Sequence, residues 1–375
     1  MRIAVRRGRN GAGRVSPRDQ RGFTLTELLI SSAIMITVTG AIFSLTNPAQ
    51  GSAQVQPEVA DLQQRMRVGS DLLFKDLVMA GAGPYQGATT GSLSSFFAPI
   101  LPRRTGKLNP DPTQGAGSFR ADAITLAYIP NTYSQTTITN KMPNVSSELR
   151  VASQPNCPKD DPLCGFTEGM SIMIFDTAGN FDSFEITNVQ EDAIHLQHRG
   201  QQLSIAYEAG AQVTQVVSYT YYLDRTTSQL RRYDGLDSDV PVVDNVVDLR
   251  FDYFGDPEPP RLPKPAPGTA NCLYDAAGNY LNLPVLNATD GSLVALTPAL
   301  LTDGPFCGGG TNQFDADLLR VRKVRVTLRM QVATPAFRGG LDVNGNARQA
   351  IGGEKYVPDY TVSFDVAPRN LNLSR

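Results

Sequence analysis

Between Gly22 and Leu45 the chain reads GFTLTELLISSAIMITVTGAIFSL, and this stretch restricts every fold the remainder can adopt. The eighteen residues from Leu28 to Leu45 carry no charge, and twelve of them are apolar. Together with Phe23–Glu27 they make a helix of roughly 34 Å, enough to cross a bilayer. Whatever follows has to hang from that rod. Glu27 stands at its mouth, where an ionisable group costs about 2.5–3.5 kcal/mol or more unless it is paired or snorkels, so its presence points to function.

The segment before the rod is basic. Residues 1–22 contain seven arginines (Arg2, Arg6, Arg7, Arg9, Arg14, Arg18, Arg21) against the single acid Asp19. Such a segment keeps the N-terminus cytoplasmic and sends the bulk of the chain outward. Removing a leader of charge +6 from a chain of formal charge −2 leaves −8. A secretory signal peptide is the alternative, with small residues Gly51-Ser52-Ala53 before Gln54. Its apolar region would run only about 7–15 residues, shorter than this one.

A basic leader ending in Gly22, followed by Phe23, Thr24, Leu25, Thr26, Glu27 and an apolar helix, resembles the processing site of type IV pilins and type II secretion pseudopilins. The resemblance implies cleavage between Gly22 and Phe23 by a prepilin peptidase, N-methylation of Phe23, and a role for Glu27 in assembly. Further on, Leu230-Arg231-Arg232-Tyr233-Asp234-Gly235 and Val243-Asp244-Asn245-Val246-Val247-Asp248-Leu249 resemble PilW-type minor pilins and the related J-type pseudopilins. The likeness is close over Gly22–Ala82 and loose over Tyr221–Val332.

Beyond the span a helical period continues. Pro48 and Pro57 are expected to kink the helix, since each removes a backbone donor and crowds the preceding turn. Val59, Leu62, Met66, Leu73 and Leu77 then form one apolar stripe, with Asp61, Gln64, Arg65, Asp71 and Lys75 on the other side. Gly81, Gly83 and Pro84 stop it. The expected organisation is a leader over 1–22, a membrane or filament-core helix over 23–45, an amphipathic continuation over 46–82 and an exported β-rich head over 83–375.

In the head, Gly81–Ser118 reads as loop. Short strand-like runs follow at Ala123–Ile129, Ser171–Asp176, Phe181–Val189 and Ala193–His198, with Thr177–Asn180 as a hairpin tip. Clean period-2 alternation appears around Val217–Leu223, Val247–Tyr253, Val324–Val332 and Val362–Val366. It predicts an antiparallel sheet with one wet face and one buried face, the latter covered by the long helix. The fold class is therefore α+β, pilin-like. A Pro-rich insertion over 255–314 is either an ordered piece pinned by Cys272 and Cys307 or a projecting loop.

Export puts the four cysteines in an oxidising compartment, where an even count reads as disulfides. Of three connectivities, Cys157 with Cys164 and Cys272 with Cys307 is the one expected. The chain-entropy relation gives these loops about 2.5 and about 4 kcal/mol. A zinc site is disfavoured because no C-x2-C pair exists.

Little else carries chemistry. His195 and His198 sit in a strand-like run, where odd spacing sends them to opposite faces. Asp342-Val343-Asn344-Gly345-Asn346 matches the start of a calcium loop, but Ala347 and Gly353 occupy its sixth and twelfth positions. Asn144-Val145-Ser146 and Asn287-Ala288-Thr289 fit a glycosylation pattern that is common by chance. Lys323, Arg325 and Arg329 line the polar side of one strand, and a charge of −8 on the chain without its leader makes nucleic acid an unexpected partner. Neither a cofactor nor a metal is expected, and no enzymatic activity.

The resulting expectation is a structural subunit, a low-copy minor pilin that primes or tips a type IV pilus. It would wait in inner-membrane lipid with its N-terminus cytoplasmic, then join other pilins through the N-terminal helix and reach the cell surface. A type II secretion pseudopilin is the near alternative. A secreted or anchored binding protein, or an unrecognised enzyme, is the distant one.

Overall fold

A computed structural model describes residues 22–83, 92–106, 115–154, 157–287, 292–339 and 356–372. One helix, α1 (Leu25–Met79), runs from the apolar segment into the head. The kinks expected at Pro48 and Pro57 do not divide it. A proline deletes one bond of the ladder, and beyond Pro57 the helix continues to Met79, held down by its apolar stripe. It ends at Ala80, after which Gly81 adopts φ +80° and donates its N–H to the Ala127 carbonyl at 3.0 Å. A β-carbon at Gly81 would lie 2.5 Å from Leu371, so this stop needs glycine for space as well as for backbone freedom.

Strands β1 (Ile100–Leu101) and β2 (Ala123–Tyr128) come first. Then come β3 (Gln135–Thr137), β4 (Leu149–Arg150), β5 (Ser171–Phe175) and β6 (Phe181–Glu185). β7 (Asn188–Gln190), β8 (His195–Gln197) and β9 (Gln212–Gln215) follow. β10 (Val217–Asp224), β11 (Gln229–Tyr233), β12 (Asp239–Asp244) and β13 (Val246–Gly255) are closely spaced. The last are β14 (Val294–Leu296), β15 (Phe306–Cys307), β16 (Phe314–Asp315), β17 (Val321–Met330) and β18 (Tyr360–Val366).

The strands pair antiparallel in two larger sheets under α1, ordered β1-β2-β10-β11-β12 and β14-β13-β17-β18. The helix lies across β12, β17, β18 and β2. Leu62, Met66, Leu73 and Leu77 are buried there among Ile124, Leu126, Tyr221, Leu230, Val243 and Leu328. Full burial of each leucine is worth about 1.5–3 kcal/mol. Asp76 is buried on the same face and accepts from Tyr221 at 2.6 Å and Tyr128 at 3.4 Å, so a polar lock sits inside the apolar contact.

A second hydrophobic cluster lies in the segment inserted between the paired strands β2 and β10. It carries two small sheets, β3-β9-β5-β6 and β4-β8-β7. β5 serves both clusters by alternation: Ile172 and Ile174 face the second, Met173 and Phe175 the first.

Several expectations need correction. Part of the segment read as loop is core: Leu93, Phe96 and Phe97 are buried, and Phe97 stacks on Phe181 with centroids 4.5 Å apart. Its Gly, Pro and Ser residues hid this because the aromatic run is too short to show a period. The first sheet is not wet on its second face, since Thr220, Tyr221, Tyr222 and Leu223 are all buried. There Arg104 lies 4.6 and 4.5 Å from the ring centres of Tyr222 and Tyr233. In β13 Val246 is buried rather than Val247, because a bulge between Val246 and Asp248 shifts the alternation. Phe181–Val189 divides into β6 and β7. The run Ala193–His198 shortens to β8, since Ile194 sits in a turn at φ +53°.

The described residues of the insertion, 255–287 and 292–314, form an ordered piece. Its β14 extends the second sheet, Leu273, Leu283, Leu296 and Leu301 are buried, and Cys272 is bridged to Cys307. Arg320, fully buried, donates to the carbonyls of Pro257 and Pro284 at 2.7 Å each and pairs with Asp317. A proline-rich segment lacks regular hydrogen bonds of its own, and this guanidinium supplies two of them.

Candidate assembly site

The N-terminal end of α1 is a capping box. Thr24, in extended backbone, is the cap; its Oγ1 accepts the Glu27 N–H at 3.2 Å. Glu27 Oε2 in return accepts the Thr24 N–H at 2.9 Å and the Thr24 hydroxyl at 2.8 Å. The reciprocal arrangement satisfies donors that a helix start leaves open. A carboxylate in the first turn also faces the positive end of the helix dipole. Oε1 of Glu27 accepts no hydrogen bond among the described residues, so one oxygen is structural and the other is available. The T-x-x-E pattern at Thr24–Glu27 is legible as a cap, a second role for Glu27 beside the one its position in the span suggests.

From Leu25 to Ser44 the helix is long and apolar enough to cross a membrane, and none of that stretch is buried in the chain itself. Phe23 is 91% exposed, and Leu28, Leu29, Ile30, Ile34, Met35 and Ile36 are all exposed. Several of its hydroxyls are nonetheless satisfied along the helix: Ser31 donates to Leu28 O at 3.1 Å, Thr37 to Ile34 O at 2.8 Å and Ser44 to Ala41 O at 2.8 Å. Polar side chains bonded this way suit a lipid or helix-bundle setting. The site is therefore an apolar rod with one acid at its tip, an arrangement able to pack against apolar surface and to accept a positive charge.

The remaining sequence candidates lie apart from it. Gly22 and Phe23 precede the cap and are exposed, whereas residues 1–21 of the leader fall outside the described residues. Cys157 is bridged to Cys164 in the segment of the second cluster, and Cys272 to Cys307 within the insertion. His198 is buried, its ring nitrogens 2.7 Å from Ser147 O and 2.9 Å from Gln201 O. His195 instead lies beside Glu148, with Nδ1 2.9 Å from Oε1. Lys323 and Arg325 both pair with Asp365 on the neighbouring strand, at 3.0 and 2.7 Å, and Arg329 lies 3.9 Å from Asp359. The basic side of β17 is thus matched by acids of β18 and its approach. Asn144 and Asn287 are exposed, and Asp342–Asn346 falls outside the described residues.

One cluster escaped sequence reading. Asp303, Asp315 and Asp317 bring carboxylate oxygens within 4.8 Å of one another. Asp315 already accepts the N–H groups of Gly304 and Asp317 at 2.6 and 2.8 Å, and Asp317 pairs with Arg320. Burial, with Asp317 and Asp303 alongside, pushes Asp315 up to about 6.

A helix with a free apolar half, its other half laid on antiparallel sheets, defines an α+β, pilin-like fold. Residues 17–43 match the family described as the prokaryotic N-terminal methylation motif, the type IV pilin signal. The chain is also 30% identical over 113 residues to the pilin-like protein PilA3 of Thermus thermophilus. That match covers 29% of this chain and 42% of the relative, so the chain spans less than half of PilA3. No solved structure matches the chain significantly.

Proposed function

We propose that the chain is a non-enzymatic minor pilin of a type IV pilus, used at low copy to prime assembly or to cap the tip. The observation that carries this reading is the methylation motif at residues 17–43 seated on an exposed, capped helix with Glu27 in its first turn. A prepilin peptidase cuts between Gly22 and Phe23, and the amino group of Phe23, methylated or not, is positive. In the filament core that group of one subunit pairs with Glu27 of another, through the carboxylate oxygen that Thr24 leaves free. Breaking one partner of such a desolvated pair costs about 3–5 kcal/mol. The large, disulfide-braced head, with its insertion over 255–314, suits a position that need not repeat along a shaft. The PilW-like segments favour a pilus over a secretion pseudopilus.

Glu27→Val tests the mechanism. Processing and membrane insertion of the variant are expected to stay normal, while its recovery in sheared pili falls at least tenfold by immunoblot. Normal incorporation would remove the pairing step. A secretion defect with intact pili would reassign the subunit to the pseudopilus.

A further inference from the structure

The loop between β15 and β16 is a tongue that joins the proline-rich insertion to the segment between β2 and β10. Its three glycines, Gly308-Gly309-Gly310, lie against that segment with no room for a side chain. A β-carbon would lie 2.6 Å from Gly179 O at Gly308, 2.7 Å from Ile205 Cγ2 at Gly309 and 2.5 Å from Ser204 Cβ at Gly310. Gly308 and Gly310 also hold φ values of +77° and +62°. Beyond them Asn312 Nδ2 donates to Asp182 Oδ1 at 2.7 Å and to Phe181 O at 2.9 Å. Asp182 is buried and also accepts the Ser204 N–H and the Tyr207 hydroxyl, each at 2.9 Å. One carboxylate thus ties the tongue to residues 200–207.

The tongue has little of its own to keep it there. β15 and β16 pair only through Phe306 with Asp315 and Cys307 with Phe314, and an isolated two-stranded hairpin is marginal at best. A run of three glycines also has the most backbone freedom to lose on docking. The residue directly before that run is Cys307, and its bridge to Cys272 fixes the root of the tongue. The bridge sits on the surface that the tongue covers, since a β-carbon at Gly179 would lie 3.3 Å from Cys307 Cβ. Cys272 and Cys307 are 6% and 0% exposed, whereas Cys157 and Cys164 are half-buried. Thiol exchange requires access to a sulfur, so the docked tongue shields its own anchor.

We infer that the tongue is a redox-set clasp, docked on residues 179–182 and 200–207 when the Cys272–Cys307 bridge is closed and released when it is open. Closure takes one hydrogen from each thiol and passes two electrons and two protons to a disulfide donor, which leaves as two thiols. A head that still carries the free thiols has this surface uncovered, and oxidation covers it. The clasp is independent of how α1 assembles. Hydrogen exchange of the full chain in detergent, read by mass spectrometry, tests it. Replacing Cys272 and Cys307 by serine is expected to speed exchange at 179–182 and 200–207 at least tenfold, with β17 and β18 unchanged. Gly310→Ala keeps the bridge and should give the same local pattern. Reduction of the unmutated chain with dithiothreitol should reproduce it, and oxidised glutathione should restore slow exchange. Unchanged exchange at 179–182 and 200–207 without the bridge overturns the proposal, as does an equal acceleration in β17 and β18. Slow exchange in Gly310→Ala would overturn it too.

Discussion

Glu27 spends one of its two oxygens on its own helix. Oε2 closes the capping box with Thr24, and Oε1 is the oxygen that we propose pairs with a neighbouring subunit. Asp315 shows the opposite situation, an acid held where ionisation is unfavourable. Its folded value of about 6 lies above the 3.8 of a free side chain, so the native state binds its proton more tightly. The stability this confers is complete below pH 3.8 and is lost as pH rises through 6. About two units correspond to about 3 kcal/mol at most. Urea unfolding of the whole chain between pH 4 and 7 should therefore show a falling contribution that Asp315→Asn abolishes; identical pH profiles for both proteins would refute it.

At the scale of elements, α1 rests on the sheets through a close approach at Gly69. A β-carbon there would lie 3.2 Å from Val243 Cγ2 and 3.4 Å from Leu328 Cδ2. Gly69→Ile should lower stability by about 1–3 kcal/mol through overpacking, read from denaturant midpoints, and no loss would mean that the helix sits farther out. The stripe Leu62-Met66-Leu73-Leu77 was legible because it repeats at helical spacing, and β17 because it alternates over ten residues. Gly69 and Asp76 were not legible. A glycine or an acid on a helix face looks the same whether it meets solvent or a facing tyrosine. The bulge at Val246 was equally hidden, since its only mark is a register that needs the partner strand.

At the scale of the molecule, the sequence order conceals that the segment between β2 and β10 builds a separate cluster, because those two strands are neighbours in space and far apart in the chain. The candidate assembly site, in contrast, was local and could be read at Gly22, Phe23 and Glu27. The two disulfides brace different parts, and their loops differ in length by 35 against 7 residues of separation. Replacing Cys272 and Cys307 by serine should cost about 4 kcal/mol, and replacing Cys157 and Cys164 about 2.5 kcal/mol. Equal losses in thermal unfolding would contradict that order. The claim on which the rest depends concerns the free half of α1, and mass spectrometry of the mature chain from its native cells tests it most directly. The account predicts a polypeptide that starts at Phe23 with a methylated amino group; a chain that retains Met1 or starts at Gln54 would contradict it.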